Sequence, residues 1–412
     1  MKNGCKKCTV VNNLDNYEMP ANQNHKKSSK KFIDALEKLP DIRDNRGKRH
    51  SQVFVITVVV MAILSRRSRV SSIHRYINNQ IDWLRIVTGF HDANPVSRAH
   101  LPRMLANVNW HELNALITEF FDNEIAQTTK HEWKAVDGKF LKGTPKNAEK
   151  QAVIHAVAHD SRIDVAQAKQ VGNKSSEITT VRKFLKETGL ESQKNTLDAH
   201  HCYPDTMSQI QEAHGTYLIQ VKENQPKLLE HCRHLALQSS IAEIIEHDYG
   251  HGRISSYKSN LYQLSVSDLD SRWQTSGMAF LVVVERETIK KSNLKQTQET
   301  SYYLSNYKNS SMATVSSELT TAIRKHWGVE SNNWQHDVTF NEDNVRVSDG
   351  NQAQILSKLR TFAMNLLRIQ KKNAPNFQAL IEQFTDIPSN YSAPTKIKGH
   401  PRKDEVNASS IL

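Results

Sequence analysis

Three acids carry the chemistry this sequence could do: Asp137, Asp198 and Glu330. Asp137 closes a short strand-like run, Trp133-Lys-Ala-Val-Asp137, and is followed by Gly138, so its carboxylate is expected where a sheet edge opens. Asp198 closes another such run, Asn195-Thr-Leu-Asp198, 61 positions later. If those strands are neighbours, the two carboxylates converge at one end of the sheet. Glu330 falls on a late helix, four residues after His326 and seven after Ile323, near that helix's inward stripe. Converging carboxylates repel, and they are stable as anions only with a cation between them. Mg²⁺ suits an all-oxygen site completed by water and phosphate, with Mn²⁺ able to take its place. Two such ions about 4 Å apart would activate an attacking hydroxyl and steady the leaving oxygen of an in-line phosphoryl displacement. In that scheme Asp137 bridges both ions, while Asp198 and Glu330 hold one each. Taken singly, each acid has a plainer reading: Asp-Gly is a common turn pair, Asp198 could cap a helix, and Glu330 could be a surface residue.

The elements that must position these acids are readable in outline. Residues 1–30 are polar and rich in Asn and Lys, and read as a disordered leader. Residues 31–128 read as a helical domain, with Phe32, Leu36 and Leu39 on one stripe, an apolar run from Val53 to Leu64, and further stripes at Ile73, Tyr76 and Ile77 and at Leu101, Met104 and Leu105. Between its first two helices lies Asp41-Ile-Arg-Asp-Asn-Arg-Gly-Lys-Arg-His50. This is either a solvated turn or a loop whose Arg43, Arg46, Lys48 and Arg49 contact backbone phosphates. From 129 to 236 three strands are followed by alternating helix and strand, a mixed α/β order. Residues 237–310 break the alternation and read as a β-rich insertion. The span 311–375 returns to helices, the first carrying Glu330, and 376–412 reads as a flexible tail.

Composition sets the outer bounds. The chain has 412 residues, with 55 Lys and Arg against 43 Asp and Glu, a formal net charge of +12. A pI near 9.3 lies in the range of nucleic-acid-binding chains, although many basic proteins bind none. Four cysteines are too few for a disulfide framework and fit a reducing compartment. The Val53–Leu64 run is shorter than the ~20 residues a membrane span needs, and Arg66 and Arg67 follow it, so no membrane partner is expected. The first residues show no secretory signal.

At these residues the sequence resembles the H-repeat-associated branch of the insertion-sequence DDE transposases. Arg43–His50 with the apolar helix after it is similar to that family's N-terminal associated domain. Ala135-Val-Asp-Gly-Lys139 and Thr196-Leu-Asp-Ala199 look like its two aspartate motifs. Asn173-Lys-Ser-Ser-Glu-Ile178, Val221-Lys-Glu-Asn-Gln-Pro226, His251-Gly-Arg253, His326-Trp-Gly-Val-Glu330 and Asp337-Val-Thr-Phe-Asn-Glu-Asp343 complete the likeness, which spans Phe32 to Lys371. It implies an RNase H-like core, an inserted β-rich segment before the catalytic Glu, and metal-dependent DNA strand transfer at the terminal inverted repeats of a mobile element. Asp137, Asp198 and Glu330 match the catalytic positions. The partners implied are double-stranded DNA, both element ends and target, and a second copy of the chain in the DNA complex. The place implied is the bacterial cytoplasm, on the nucleoid. One departure matters: the broader group sets Tyr, Arg and Lys around the Glu, where this chain has Ile323, His326 and Asp337. Those phosphate-contact roles are therefore not carried over, and Arg324, Lys325 and Arg346 are the substitutes considered.

Weaker signals complete the reading. Lys139 and Lys142 could clamp a phosphate near the metals or line a solvated strand edge. Lys222 and Asn224, at the same expected sheet end, and Arg253 are further DNA contacts. His200, His201 and Cys202 lie on one short turn, and adjacent residues there rarely all reach one ion. Cys5-Lys-Lys-Cys8 is half a zinc ribbon without its second half. Trp273 either stacks on an unpaired base or packs in a core. The same three acids would also serve a nuclease that cuts without joining. A catalytically silent DNA-binding regulator is the third reading, and the intact acids argue against it.

Overall fold

The computed structural model describes residues 32–143, 151–171, 175–250, 252–370 and 377–386. The expected leader, Cys5 and Cys8, and the last 26 residues lie outside the described residues. After a helical turn at 32–36, the chain builds helices Gln52–Leu64 (α1), Val70–Asn79 (α2), Ile81–Thr88 (α3), His100–Ala106 (α4) and Trp110–Thr129 (α5). Ser51 caps α1 by accepting a hydrogen bond from the Phe54 amide. Nearly every residue of α1 is buried, so the longest apolar run of the sequence is a core helix. Among the described residues no helix is long and apolar enough to cross a membrane.

The sheet begins with Lys134–Phe140 (β1), Gln151–Ala158 (β2) and Asp164–Val171 (β3), an antiparallel meander. Helix Ser175–Glu187 (α6) then crosses to Lys194–Leu197 (β4), and Pro204–Glu212 (α7) crosses to Thr216–Val221 (β5), with β4 parallel to β1 and β5 parallel to β4. The order β3-β2-β1-β4-β5 is the RNase H-like mixed sheet. Every residue of β2 is buried, as a strand covered on both faces must be.

After helix Pro226–Leu235 (α8), strands Ala242–Gly250 (β6), Arg253–Gln263 (β7), Phe280–Lys290 (β8) and Gln296–Ser305 (β9) form a second antiparallel meander. The segment read as an insertion is not separate from the sheet. β9 pairs antiparallel with β5, so all nine strands make one sheet, in the order β3-β2-β1-β4-β5-β9-β8-β7-β6. The sequence concealed this because the outer strands carry polar residues on both faces, as in Ala242-Glu-Ile-Ile-Glu-His-Asp-Tyr-Gly250.

Helices Met312–His326 (α9), Gly328–Trp334 (α10) and Gly350–Gln370 (α11) follow, with a π-helical turn at Gln335–Thr339. Phe377–Asp386 is a further helix (α12) where a flexible tail was expected, and Ile381 on it is wholly buried. Its Phe377, Ile381 and Phe384 recur at helical spacing, a stripe too short to stand out beside the polar residues that follow.

Packing fixes where the site can lie. One face of the sheet buries Val136, Ile154, Leu197 and Ile219 against α6, α7 and α8. The opposite face buries Leu218, Phe280 and Val282 against Val315, Leu319 and Ile323 of α9. Further along, Val153 joins Leu356, Leu359 and Phe362 of α11 in one core with α1 to α5. The N-terminal helices therefore share their core with the C-terminal long helix. Trp273 is wholly buried in the α6–α8 core, which fits packing and leaves no face for a base.

Candidate active site

Asp137 sits in the middle of β1, not at its end, because Gly138, Lys139 and Phe140 continue the pairing with β2. Parallel pairing of β1 and β4 runs to Val136 beside Leu197, so the next step sets Asp137 beside Asp198. Neighbouring strands lie about 4.8 Å apart, and residues in step on them share a face. The two acids thus stand side by side where β4 ends. Asp198 turns the chain there, accepting a hydrogen bond from the His200 amide (3.0 Å).

The two helices that meet just before Glu330 are tied to the two strands, α9 to β4 and α10 to β1. His326, at the end of α9, contacts the Thr196 hydroxyl of β4 through Nδ1 at 2.8 Å. His159 reaches the same hydroxyl at 3.0 Å. Burial pushes the His326 imidazole down to about 4 and that of His159 to about 3, so both are neutral near pH 7. On α10, Asn333 donates to Asp137 Oδ2 at 3.1 Å. Glu330 lies four residues after His326 and three before Asn333, between these two anchors. Its own carboxyl is exposed; partial burial raises its pKa, and Lys222 beyond β5 works against that rise. Gly328, at the start of α10, is where the Arg162 guanidinium fits against the helix: a Cβ there would fall 1.2 Å from Arg162 Nη1.

Electrostatics mark the cluster as short of positive charge. Burial first, then Asp198 and Glu177, push the Asp137 carboxyl up to about 6. Glu177 entered the sequence reading only within the Asn173–Ile178 motif, with no role of its own. In the structure it is buried against the bare backbone of Gly138. An open cleft of about 460 Å³ next to Asp198 is lined by His200, Lys222, Asn224, Arg233 and Tyr302 among others. Lys222 and Asn224 thus share one sheet end with Asp198. Asn224 is engaged there, donating to the Ala199 carbonyl at 2.7 Å. The donor set of hard carboxylates, one of them resisting ionisation, fits a divalent cation.

The other basic candidates divide by partner. Arg46, Lys48, Arg49, Lys222, Arg253 and Arg346 are exposed. Arg43 is not: it pairs with Asp41 at 2.6 Å, donates to the His50 carbonyl and holds the 41–50 loop closed. Lys142 meets Asp343 at the surface (2.7 Å). Arg324 lies over the Tyr257 ring and pairs with Glu246 at 3.2 Å, and Lys325 pairs with Asp160. Lys139 turns inward, 7% exposed, with Nζ 2.6 Å from Glu342 and 2.5 Å from Asp337. A buried, doubly paired lysine has no face left for a phosphate, so its role as a clamp is withdrawn. Burial raises the Glu342 carboxyl, but His336, Lys139 and Arg360 outweigh that and hold it far below the usual range. Glu342→Gln, which leaves the buried Arg360 without its carboxylate and Lys139 with Asp337 alone, is expected to cost ~3–5 kcal/mol in a denaturant melt. A loss under about 1 kcal/mol would contradict this view of the network.

Of the His200–His201–Cys202 trio, Cys202 packs into the α6–α8 core and His201 points at the acids, so the three serve different surroundings. Among the described residues the group whose ligand atoms gather within 4.8 Å is His155, Asp164 and His336, all buried. His155 is opposite Asp137 across β1 and β2, and its Nδ1 is hydrogen-bonded to Asp164. The π-helical turn after α10 carries His336 to this pair, a placement that nothing in the sequence pattern announced.

The nine-stranded mixed sheet flanked by helices has the RNase H-like order, with Asp137 and Asp198 in step on neighbouring strands. The chain belongs to the transposase DDE domain family, whose model matches residues 128–366, and residues 33–121 match the associated N-terminal domain of that family. YncI of Escherichia coli O157:H7 is 27% identical over 83% of this chain and 88% of its own length. The H repeat-associated YhhI of Escherichia coli K12 is 25% identical over 83% and 91%. Both bear transposase in their names. The likeness to the H-repeat branch therefore holds, and with it the link to divalent metal ions that this family carries.

Proposed function

We propose that this chain cuts DNA at the ends of an insertion sequence and joins those ends to target DNA, with Asp137, Asp198 and Glu330 as its catalytic acids. The observation that carries the reading is the hydrogen bond from Asn333, three residues after Glu330 on α10, to Asp137, with His326 at the end of the preceding helix bound to Thr196, two residues before Asp198. Two Mg²⁺ ions held by the three acids would activate the attacking hydroxyl and stabilise the leaving oxygen. The protein's own part is positional. Asn333 orients Asp137, neutral His326 and His159 fix the end of β4, and Lys222 offers a cation to a phosphate in the cleft by Asp198. The exposed Arg46, Lys48 and Arg49 of the 41–50 loop, with Arg253 and Arg346, are the proposed contacts to the DNA backbone, which makes binding steeply salt-dependent. Joining two element ends calls for two copies of the chain in the DNA complex.

Two half-exposed indoles, Trp327 and Trp334, bracket Glu330 on its helix. They are placed to stack on unpaired bases at a processed end. Trp327→Ala is expected to weaken binding of a single-stranded end by ~1–3 kcal/mol, read by fluorescence titration, and to leave duplex affinity nearly unchanged. Equal losses on both substrates would remove the stacking role.

The test of the proposal is an incubation with Mg²⁺ and DNA carrying the inverted repeats that flank the coding sequence. Cut ends and joined strands are both expected. Nicks without joined product would make the chain a nuclease, and neither product would leave a DNA-binding regulator.

A further inference from the structure

Gly138 has no side chain, and the space beside it is filled. A Cβ there would lie 2.8 Å from the carboxyl carbon of Glu177 and 2.9 Å from its Oε1. Glu177 is 3% exposed and projects from α6, which packs on the face of the sheet opposite α10. It therefore brings a carboxylate against the strand at the step after Asp137. The second observation is His201. It is 1% exposed, and neither of its ring nitrogens has a hydrogen-bond partner. Its Nε2 is 3.4 Å from Glu177 Oε1 and 3.8 Å from Asp198 Oδ1. A buried carboxylate and a buried, unpartnered imidazole thus face the two aspartates from behind the strand. Burying the Glu177 charge costs free energy, and a cation near it offsets that cost.

Resting on the three-acid reading, we propose that Glu177 is a fourth carboxylate of the divalent-cation site. It acts through its charge from behind Gly138, with the His201 imidazole lying between it and Asp198. It is a positioning residue that sets cation affinity, and the small residue at 138 is what lets its charge come so close. Affinity for hard divalent ions rises with the number of carboxylates around them. Packing alone predicts something different: a Glu177 that merely filled space would leave cation affinity untouched when replaced by its amide.

The experiment titrates Mn²⁺ into the full-length protein by electron paramagnetic resonance and melts each variant in EDTA and in saturating Mg²⁺. Glu177→Gln is expected to weaken Mn²⁺ binding by roughly tenfold and to melt no lower than the parent in EDTA. It should also lose most of the Mg²⁺-induced rise in melting temperature. Glu177→Asp, which keeps the charge, should recover most of the affinity. If Asp137→Asn and Asp198→Asn lose Mn²⁺ while Glu177→Gln binds like the parent, Glu177 is a packing residue and the inference is overturned. If the aspartate variants also bind Mn²⁺ like the parent, the three-acid reading itself fails, and this inference with it.

Discussion

Replacing Asp198 by Ala is expected to leave a chain that folds and binds element-end DNA yet neither cuts nor joins it. The side chain of Asp198 is 45% exposed and lies past the end of β4, so the core hardly registers its removal. The local cost is the hydrogen bond it accepts from the His200 amide, about 1 kcal/mol. The chemical cost is far larger. An acid that helps hold the cation acts where charge develops in the transition state, and its loss is expected to slow both steps by ~10³-fold or more. Time courses of cleaved and joined strands, beside a melting curve and a gel-shift titration, read all three properties from one preparation. Undiminished joining by the Asp198 variant would end the catalytic assignment of this residue.

The second large effect concerns stability, and its sign follows from linkage. The folded-state pKa of Asp137 is raised to about 6 from 3.8, by burial first and then by Asp198 and Glu177. Between those values the folded chain holds a proton that the unfolded chain has released. Stability therefore falls as pH rises through that window, and the full penalty, ~3 kcal/mol, is present above it. Asp137→Asn removes the titration while keeping an oxygen for the Asn333 amide. The metal-free variant should be more stable than the parent at pH 8, by up to ~3 kcal/mol, and nearly equal to it at pH 4. Mg²⁺ should stabilise the parent by binding its folded form and should do little for the variant. A variant that is less stable at every pH, or that responds to Mg²⁺ as the parent does, would show that Asp137 is not held in a charge-repelling site.

These expectations join what was legible in the sequence to what was not. Short runs of β-branched and small residues, broken by polar turns, marked β1 to β5 and the helices between them, because local pattern is enough to specify a half-buried element. The acids that terminate or interrupt such runs stood out for the same reason. The likeness of the motifs then tied them to one family. The 237–310 segment was legible as β-rich but not as part of the same sheet, and only the ladder from β9 to β5 shows that its strands extend the core sheet.

By itself the sequence determined which residues could ionise, which runs of β1 to β5 would be strand, and which three acids to propose as a group. Only the tertiary structure decided where each charge is spent. Lys139 and Lys222 are the same residue type near the same acids, yet Lys139 is neutralised by Glu342 across 203 positions while Lys222 opens onto a cleft. Glu177 gained its place beside Asp137 because α6 crosses the sheet at the one step of β1 that has no side chain. Charges act through distance in space, which chain order does not fix, and so the partners of an ionised group appear only once the fold has closed.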